Sequence, residues 1–262
     1  MKRDRRSVSL RHAEMLALIR ERQEIMVEEL SQRFGISPMT VRRDLQVLEE
    51  SGKISRFHGG ATVDVRLATS GEHEDAALYR QLIARYAASV VADGDRILIN
   101  GSNTALAVLD HLSGKSVKVF TNNGLVIGKK YPDGLDVQLS GGVLRGSDHI
   151  LVGDLAMRNL MDVHMDKCFL GCTGISPDGE ILCGIPSELG INETMINHAG
   201  SYYILADHTK VGKAGTYASF HLEKRGCIIT DECAPAAVVE RLRAIGMQVV
   251  QVRRADFPDI AR

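Results

Sequence analysis

The sequence contains no apolar run long enough to span a bilayer and no signal-peptide pattern after Met1. It has only five cysteines in 262 residues, their number is odd, and their spacing matches no metal-ligand pattern. We therefore favour buried, reduced thiols over a zinc site or a disulfide, and we expect no metal and no cofactor. These absences predict a cytoplasmic protein without a membrane partner. The cysteines are Cys168, Cys172, Cys183, Cys227 and Cys233.

Charge is almost balanced over the whole chain but is unevenly distributed along it. The formal net charge is −1. Residues 1–60 carry 12 Lys and Arg against 9 Asp and Glu, whereas the remaining residues carry 20 against 24. A basic head on an acidic body suits a DNA-binding head, since phosphate neutralisation supplies most sequence-independent affinity for DNA. The charged segment 2–6 is either a basic arm near phosphates or a disordered end, and both interpretations stay open.

The segment 33–52 has the pattern of a helix that is presented to DNA. Gly35 tolerates the left-handed backbone that ends a preceding helix. Ser37 followed by Pro38 is a favourable start for the next helix. An apolar stripe at spacings of four and three then predicts its buried face, with the residues Val41, Leu45 and Leu48.

The other face of this helix is polar and basic, as in a recognition helix that enters the major groove. We predict that Thr40, Arg42 and Arg43 contact the groove, with Ser37 and Met39 at the start of the helix. Segment 53–61 reads as a small wing, and we predict that its Arg56 and His58 approach the backbone or the minor groove. The alternative, that the arginine pair is only a solvated helix face, is less favoured because cap, turn, stripe and wing coincide.

Two runs in this region are more specific than a bare helix-turn-helix pattern. They are Ser-x-x-Thr-Val-Arg-Arg-Asp-Leu at 37–45 and Arg-x-His-Gly-Gly-Ala at 56–61. At these residues the chain resembles the DeoR family of bacterial transcription regulators, closely over residues 11–61. The resemblance implies DNA binding and, in most members, repression.

The rest of the chain alternates between short apolar strands and amphipathic helices. Segment 62–77 loses the apolar periodicity and reads as a linker, and a helix is predicted over 78–91. The later alternation, which includes a predicted helix over 125–130, indicates a mostly parallel sheet flanked by helices. The order of the strands cannot be read from the sequence.

Small, hydroxyl and amide residues follow five of the predicted strands, where open α/β sheets bind ligands. Such loops can hold a small, hydroxyl-rich anion, with carboxamides and a carboxylate on its hydroxyls and lysines on a phosphate. We predict effector contacts from Gly101, Ser102, Asn103, Thr104, Thr121, Asn122, Gly141, Gly142, Thr173, Glu188, Asp207, Lys210 and Lys213.

These motifs stand in the order in which the DeoR effector domain has them, so the resemblance extends over residues 11 to about 232. It implies a fold similar to the ribose-5-phosphate isomerase and CoA-transferase group, a phosphorylated sugar as effector, and dimers or tetramers. The chain departs from the family at 171–174, where an acidic loop is frequent, and after Glu188. A neutral sugar derivative therefore remains an alternative effector.

We thus predict an α+β protein with two domains: a winged helix-turn-helix domain at 1–61, a linker at 62–77 and an α/β effector and oligomerisation domain at 78–262. Its partners would be double-stranded operator DNA, a small phosphorylated sugar and further copies of itself, and its function repression of a carbohydrate-utilisation operon. Two alternatives are weighed. An isomerase-like enzyme would need a carboxylate base such as Asp207 or Glu188, and a protein-interaction module would not need the outward arginines. We predict no catalytic residue.

Overall fold

The computed structural model describes residues 5–22, 24–50, 54–57, 59–62, 70–145, 149–213, 217–221 and 226–259. The chain divides into two compact units, Met1–Asp75 and Ala76–Arg262. None of the helices in these ranges is long and apolar enough to cross a membrane.

The first unit is a small helical domain with a three-stranded antiparallel sheet in its described part. Its elements are α1 (Arg5–Arg22), β1 (Glu24–Met26), α2 (Val27–Phe34), α3 (Pro38–Glu50), β2 (Ser55–Phe57) and β3 (Gly60–Thr62). The strand order is β1-β3-β2, so β2 and β3 form the hairpin of a wing and β1 pairs with its inner strand. The predicted stripe of α3 is buried together with apolar residues of α1 and α2, and the core includes Met15, Ile19, Leu30, Val41 and Leu45.

The second unit alternates strands and helices as predicted. Its helices are α4 (Ser70–Ser89), of which the part from Ala76 onward belongs to this unit, α5 (Asn103–Leu106), α6 (Asp154–Met161), α7 (Leu189–Asn197) and α8 (Ala236–Ala244). Its strands are β4 (Arg96–Ile99), β5 (Val117–Thr121), β6 (Leu135–Leu139), β7 (Val143–Arg145), β8 (Ile150–Val152), β9 (Met165–Gly171), β10 (Gly174–Ile175), β11 (Glu180–Leu182), β12 (Ala199–Leu205), β13 (Ala218–His221), β14 (Gly226–Asp231) and β15 (Gln248–Val252).

Within the described ranges, a parallel sheet of seven strands in the order β15-β14-β12-β9-β4-β5-β6 forms the centre of this unit. Helices cover both faces of the sheet. Because successive residues of a strand point to opposite faces, neighbouring residues enter different cores. Ile97 and Ile99 of β4 pack in one core with α4 and α5, whereas Leu98 packs in the other core with α6, α7 and α8. This is a doubly wound α/β arrangement.

The strand order contains one switch point, and it lies between β4 and β9. From β4 the chain adds β5 and β6 on one side, then returns to add β9, β12, β14 and β15 on the other. In sheets of this kind, the connections that leave the two central strands run in opposite directions, which opens a crevice at their carboxyl ends. The sequence predicted the strands but not this order.

The structure differs from the sequence prediction in three details: one helix, the start of another helix and the burial of two cysteines. The helix expected over 125–130 is only a 3₁₀ turn, Gly124–Val126, because the chain is extended at Ile127 and Gly128 has a φ of 80°. Helix α4 begins at Ser70, so part of the predicted 62–77 linker is helical. Cys233 is exposed and Cys172 is half-buried, whereas the other three cysteines are buried as expected.

Candidate functional site

Helix α3 presents the residues that were predicted to meet DNA. Arg42 and Arg43 are exposed, and Met39 is 60% exposed although it is apolar. Ser37 caps the helix: its Oγ accepts from the Thr40 amide at 3.2 Å and lies 2.9 Å from the Thr40 hydroxyl. The cap satisfies one of the amides that a helix start leaves without an intrahelical acceptor. The start of α3 is therefore held in place while its side chains remain accessible.

The residue after the arginine pair, Asp44, fixes α3 from behind and was not predicted to have a role. It is buried, and its carboxylate accepts from Arg11 Nε at 2.7 Å, from Arg11 Nη2 at 3.1 Å and from His12 Nε2 at 2.9 Å. Burial alone would raise the pKa of Asp44, but the hydrogen bonds and charges of Arg11 and His12 outweigh it and hold the pKa below its ordinary value. The bidentate pair ties α3 to α1.

The wing hairpin is tied to the start of α2. The carbonyl of Gly59, in the turn between β2 and β3, accepts from the Val27 amide at 2.8 Å, and Gly59 itself has a φ of 95°. Arg56 lies in β2, but its side chain is outside the described part of the structure, as is the whole of His58. Their predicted contacts with DNA remain predictions.

In the second unit, Asn100 joins the carboxyl ends of β4 and β9 at the switch point. Its Oδ1 accepts from the amides of Ser102 and Gly171 at 3.2 and 3.0 Å. Its Nδ2 donates to the Gly171 carbonyl at 3.0 Å and to Asn192 Oδ1 on α7 at 3.2 Å. This buried amide thus accepts two hydrogen bonds and donates two, and these bonds form the buried base, or floor, of a strand-end site. We use this name for the loops that follow β4, β5, β9 and β12.

Two glycines allow very close approach at this floor. A Cβ on Gly171 would lie 1.9 Å from Ser102 Oγ, and a Cβ on Gly101 would lie 2.7 Å from both Glu188 Oε1 and Ile150 Cγ1. The predicted residues Gly101, Ser102 and Glu188 are thus brought together. The Ser102 hydroxyl also accepts from the amides of Thr104 and Ala105, at 3.2 and 3.4 Å, so it helps to shape the loop.

The loop after β5 contributes through Asn123, next to the predicted Asn122. Asn123 Nδ2 donates to the carbonyls of Gly101 and Ser102, at 3.0 and 3.4 Å, and its Oδ1 accepts from the Leu125 amide. Asn122 instead donates to the Leu151 carbonyl at 3.3 Å, and the Thr121 hydroxyl accepts from the Asn123 amide at 3.0 Å. The side chains of Thr104, Thr121 and Asn122 are all buried, which makes them part of the scaffold.

The loop after β12 carries the predicted carboxylate and lysines. Asp207 has no exposed surface; its carboxylate accepts from the amide and the hydroxyl of Thr209, and lies 3.5 Å from Arg80 Nη1. Lys210 is half-buried and Lys213 is exposed. A Cβ on Gly174 would lie 2.9 Å from Lys213 Cβ, so the lysine loop adjoins β10, which follows β9 in the chain.

The half-buried thiol of Cys172 lies within the influence of the same loop. Burial raises the pKa of Cys172 to about 11, while the charge of Lys210 acts in the opposite direction. Thr173 is exposed beside it. The thiol is therefore protonated at neutral pH, and the charge of Lys210 is not neutralised by a thiolate there.

The two glycines predicted after β6 have a packing role in the structure. A Cβ on Gly142 would lie 2.6 Å from the Val152 carbonyl oxygen and 3.1 Å from Ala156 Cβ, and a Cβ on Gly141 would lie 3.7 Å from Leu155 Cδ2 of α6. Both glycines have a positive φ. These contacts allow the chain to turn between β6 and β7 close to α6, and no described contact joins either glycine to Gly101 or Ser102.

The predicted strand-end residues therefore fall into two groups. Those with accessible surface are Gly101, Ser102, Asn103, Gly141, Gly142, Thr173, Lys210 and Lys213, whereas the side chains of Thr104, Thr121, Asn122, Glu188 and Asp207 are buried. Sequence reasoning missed Asn100, Asn123 and Asn192, which hold the loops together. Asn100 and Asn123 directly follow or adjoin predicted strands, so the same strand-end signal could have found them, but Asn192 is on a helix and gave no such signal.

Comparison with known proteins gives the same two units. A DeoR-like helix-turn-helix domain matches residues 11–66, and a DeoR C terminal sensor domain matches residues 76–232. The chain belongs to the DeoR family. The predicted class, a winged helix-turn-helix unit followed by an α/β sensor unit, is confirmed by these matches and by the sheet topology.

The relatives are similar over nearly their whole length. The HTH-type transcriptional repressor GlcR of Bacillus subtilis is 30% identical over 250 residues, which cover 94% of this chain and 96% of the relative. The glycerol-3-phosphate regulon repressor of Escherichia coli is 27% identical over 237 residues, with coverage of 88% and 94%. Among solved structures, ribose 5-phosphate isomerase A of Methanocaldococcus jannaschii matches 53% of this chain and 54% of its own, at 16% identity and a TM-score of 0.37.

Proposed function

We propose that this DeoR-family protein represses a carbohydrate-utilisation operon, and that a small phosphorylated sugar bound at the strand-end site controls its affinity for operator DNA. The observation that carries the proposal is the build of α3. Its arginine pair is exposed, while the adjacent Asp44 is buried and ion-paired to Arg11. A helix that is anchored on its buried face and carries positive charge on its exposed face suits sequence-specific contacts in the major groove.

Replacement of Arg43 tests the DNA-binding half of the proposal. If Arg43 makes a bidentate contact to a base, the Arg43→Ala variant should lose about 1–3 kcal/mol of operator affinity and relax specificity at one position. The operator would first be selected from random DNA, and affinity measured by fluorescence anisotropy at several salt concentrations. Arg158→Ala, an exposed arginine on α6, is the matched control and should leave operator affinity unchanged. Unchanged operator binding by Arg43→Ala would remove α3 from the interface.

The effector half of the proposal rests on the accessible residues of the strand-end site. Thr173 and the Gly101–Asn103 loop offer hydroxyl, amide and backbone groups, and Lys210 and Lys213 offer positive charge for a phosphate. The site lies at the switch point of the sheet, where ligands of doubly wound folds bind. One relative is named for a glycerol-3-phosphate regulon, which supports a small phosphorylated metabolite as the effector class.

A thermal-shift screen against sugar phosphates and their unphosphorylated parents tests this half. A ligand that binds only the folded chain raises the unfolding midpoint with its excess over the dissociation constant. We expect a shift from one phosphorylated sugar that Lys210→Ala weakens and that Lys118→Ala, near the amino end of β5, leaves intact. A shift from the unphosphorylated parent alone would assign a neutral sugar derivative as the effector, and no shift would remove the sugar site.

We further propose that the second unit forms dimers or tetramers, so that two DNA-binding units meet paired half-sites. The protein would act in the cytoplasm, at the nucleoid when bound to its operator. Light scattering of the purified chain, with and without a palindromic operator, tests the assembly. A monomer that binds single half-sites with full affinity would contradict it.

An isomerase-like activity is the alternative that the fold raises, and the site argues against it. Proton abstraction next to a carbonyl needs a carboxylate that can reach the substrate. Asp207 is fully buried, caps the 208–210 turn and is paired with Arg80. Glu188 is buried against Gly101. Turnover of any sugar phosphate that binds, followed by NMR, would reinstate the enzyme interpretation.

A further inference from the structure

A second polar cluster adjoins the strand-end site and shares its β12 loop; it lies at the carboxyl ends of β12 and β14. These two strands are adjacent and parallel. His208 follows β12, Asp231 ends β14, and Cys233 lies in the turn that precedes α8. One ligand-type atom from each of the three residues lies within 4.8 Å of the other two. Nitrogen, oxygen and sulfur donors thus meet at one place, and the DNA-binding function uses none of them.

Asp231 is the most deeply buried residue of this cluster. It has no exposed surface, and its Oδ1 lies 3.0 Å from His208 Nδ1. The same oxygen accepts from the Cys233 amide at 3.0 Å, and Oδ2 accepts from the His208 amide at 2.7 Å. The carboxylate therefore fixes the backbone on both sides of the cluster. A spacing of 3.0 Å between Nδ1 and Oδ1 also suits two ligands that are each about 2 Å from a common ion.

Cys233 is the exposed residue of the cluster, and it lies next to Tyr79, which also contacts Arg254. Cys233 Sγ donates to the Tyr79 hydroxyl at 3.3 Å, and Arg254 Nε donates to the same hydroxyl at 3.2 Å. The guanidinium of Arg254 lies over the Tyr79 ring, 5.0 Å from its centroid. The sulfur atom is therefore held at the surface of the cluster by the Tyr79 hydroxyl. The exposed position leaves room for a water ligand and for entry of an ion.

We propose that His208, Asp231 and Cys233 bind a divalent transition metal ion of the zinc class. Thiolate and imidazole select such an ion over Mg²⁺ or Ca²⁺, and three protein ligands with one open position are a frequent zinc arrangement. On binding, the Cys233 thiol releases its proton to solvent. In the metal-bound form the neutral imidazole of His208 carries its single proton on Nε2, so that the Nδ1 lone pair binds the metal; a proton that leaves Nδ1 for solvent is balanced by one that Nε2 takes up.

The site would act on the loop that carries a proposed effector contact. His208 opens the short 3₁₀ turn His208–Lys210, so an ion held by His208 and by the end of β14 would restrain the backbone next to Lys210. The metal site itself does not depend on the sugar-phosphate proposal. No local sequence pattern indicates this site, because its ligands follow two different strands and only Asp231 and Cys233 are close in the chain.

Cobalt substitution tests the proposal directly. Untagged, full-length, reduced protein would be titrated with Co²⁺ alone, because a cobalt–thiolate bond gives a charge-transfer band in the near ultraviolet. We expect one equivalent of Co²⁺ per chain with this band, and displacement of the Co²⁺ by Zn²⁺. Cys233→Ser should abolish the band, and His208→Gln should weaken binding by about 10-fold or more.

Two control variants separate this site from other thiols and imidazoles. Cys172→Ser changes the half-buried thiol beside Lys210, and His221→Gln changes an exposed histidine that lies 3.5 Å from Glu180. Both should retain the band and the stoichiometry. Because Cys233 is exposed, its serine variant should fold, and circular dichroism would verify this. A wild-type chain without the band, a band that survives Cys233→Ser, or affinity that is unaffected by His208→Gln would each overturn the proposed site.

Discussion

On α3 the arginine pair and Met39, which we assign to DNA, are exposed, whereas in the second unit most polar residues that follow the strands are buried. Arg42 and Arg43 are exposed and Met39 is 60% exposed, but Asn100, Asn122, Asn123 and Asp207 are at most 3% exposed. In both units a buried polar group holds the accessible ones in place: Asp44 behind α3, and Asn100 below the Ser102 loop. Exposure thus separates residues that can contact a ligand from residues that position them.

Gly171→Ala should have the largest effect, because it breaks the close approach at the floor of the strand-end site. The new Cβ would lie 1.9 Å from Ser102 Oγ and 2.3 Å from Ser102 Cβ, so β4 and β9 would have to separate. We expect the unfolding free energy of the second unit to fall by about 3 kcal/mol, the upper range for overpacking. Chemical denaturation followed by hydrogen exchange in β4 and β9 measures it.

Gly190→Ala is the matched control for this substitution. Its Cβ would meet only the flexible end of Met157, Cε at 3.0 Å, and residue 190 lies within α7. The stability of the second unit should change by less than about 1 kcal/mol, since alanine also favours a helix. Equal losses in both variants would show that the Ser102–Gly171 contact has no special role.

Asp44→Asn should have the second largest effect, and it should be confined to the first unit. The substitution removes the charge that pairs with Arg11 and His12 in a partly buried setting, and we expect a loss of about 2 kcal/mol at neutral pH. Hydrogen exchange of α2 and α3 amides reports this unit separately. Protection that is unchanged in α3 would contradict the anchoring role.

The pH dependence sharpens the same test. The pKa of Asp44 in the folded chain lies below its ordinary value. Its contribution is therefore complete above the unfolded-state pKa, about 3.9, and is lost as the pH falls through the lower folded value. Wild type and Asp44→Asn should differ most near neutral pH and converge in stability under strongly acidic conditions. A difference that grows as the pH falls would have the wrong sign.

Ser37→Ala should have the smallest effect of the three. It removes the side-chain acceptor of the Thr40 amide at the start of α3, and a lost N-cap costs about 1 kcal/mol. Ser37→Asn retains a capping side chain and should restore most of the stability. If alanine and asparagine were equivalent in thermal unfolding, the cap would not contribute.

The same comparison explains what the sequence could predict. Helix α3 was predicted because its signals are local: Ser37 caps it, Pro38 starts it, and Val41, Leu45 and Leu48 form its stripe. The strands of the parallel sheet were predicted because they are short segments rich in apolar residues, most of them largely buried, although β6 and β15 are only half-buried. In contrast, five short antiparallel strands of the second unit were not predicted: β7, β8, β10, β11 and β13. Each has only two to four residues, which is too short for a periodic pattern, and each depends on a partner strand.

The strand-end site was predicted in composition but not in arrangement. The sequence indicated polar loops after the strands, yet it could not separate Asn123, which bonds to the Gly101 and Ser102 carbonyls, from its neighbour Asn122. It could not show that Asp207 is closed off by Thr209 and Arg80. These outcomes depend on strand order and on contacts between distant segments, and strand order is not encoded in any local pattern.

The most direct test of the central claim is the operator affinity of the wild-type chain with and without the sugar phosphate that the thermal-shift screen selects. Linkage requires that a ligand which changes operator affinity by some factor is itself bound more weakly or more tightly by the same factor on DNA. We predict a change of about 5-fold or more at saturating ligand, with the reciprocal change measured by calorimetry. An operator affinity that stays constant at saturating ligand would contradict control of DNA binding by the strand-end site.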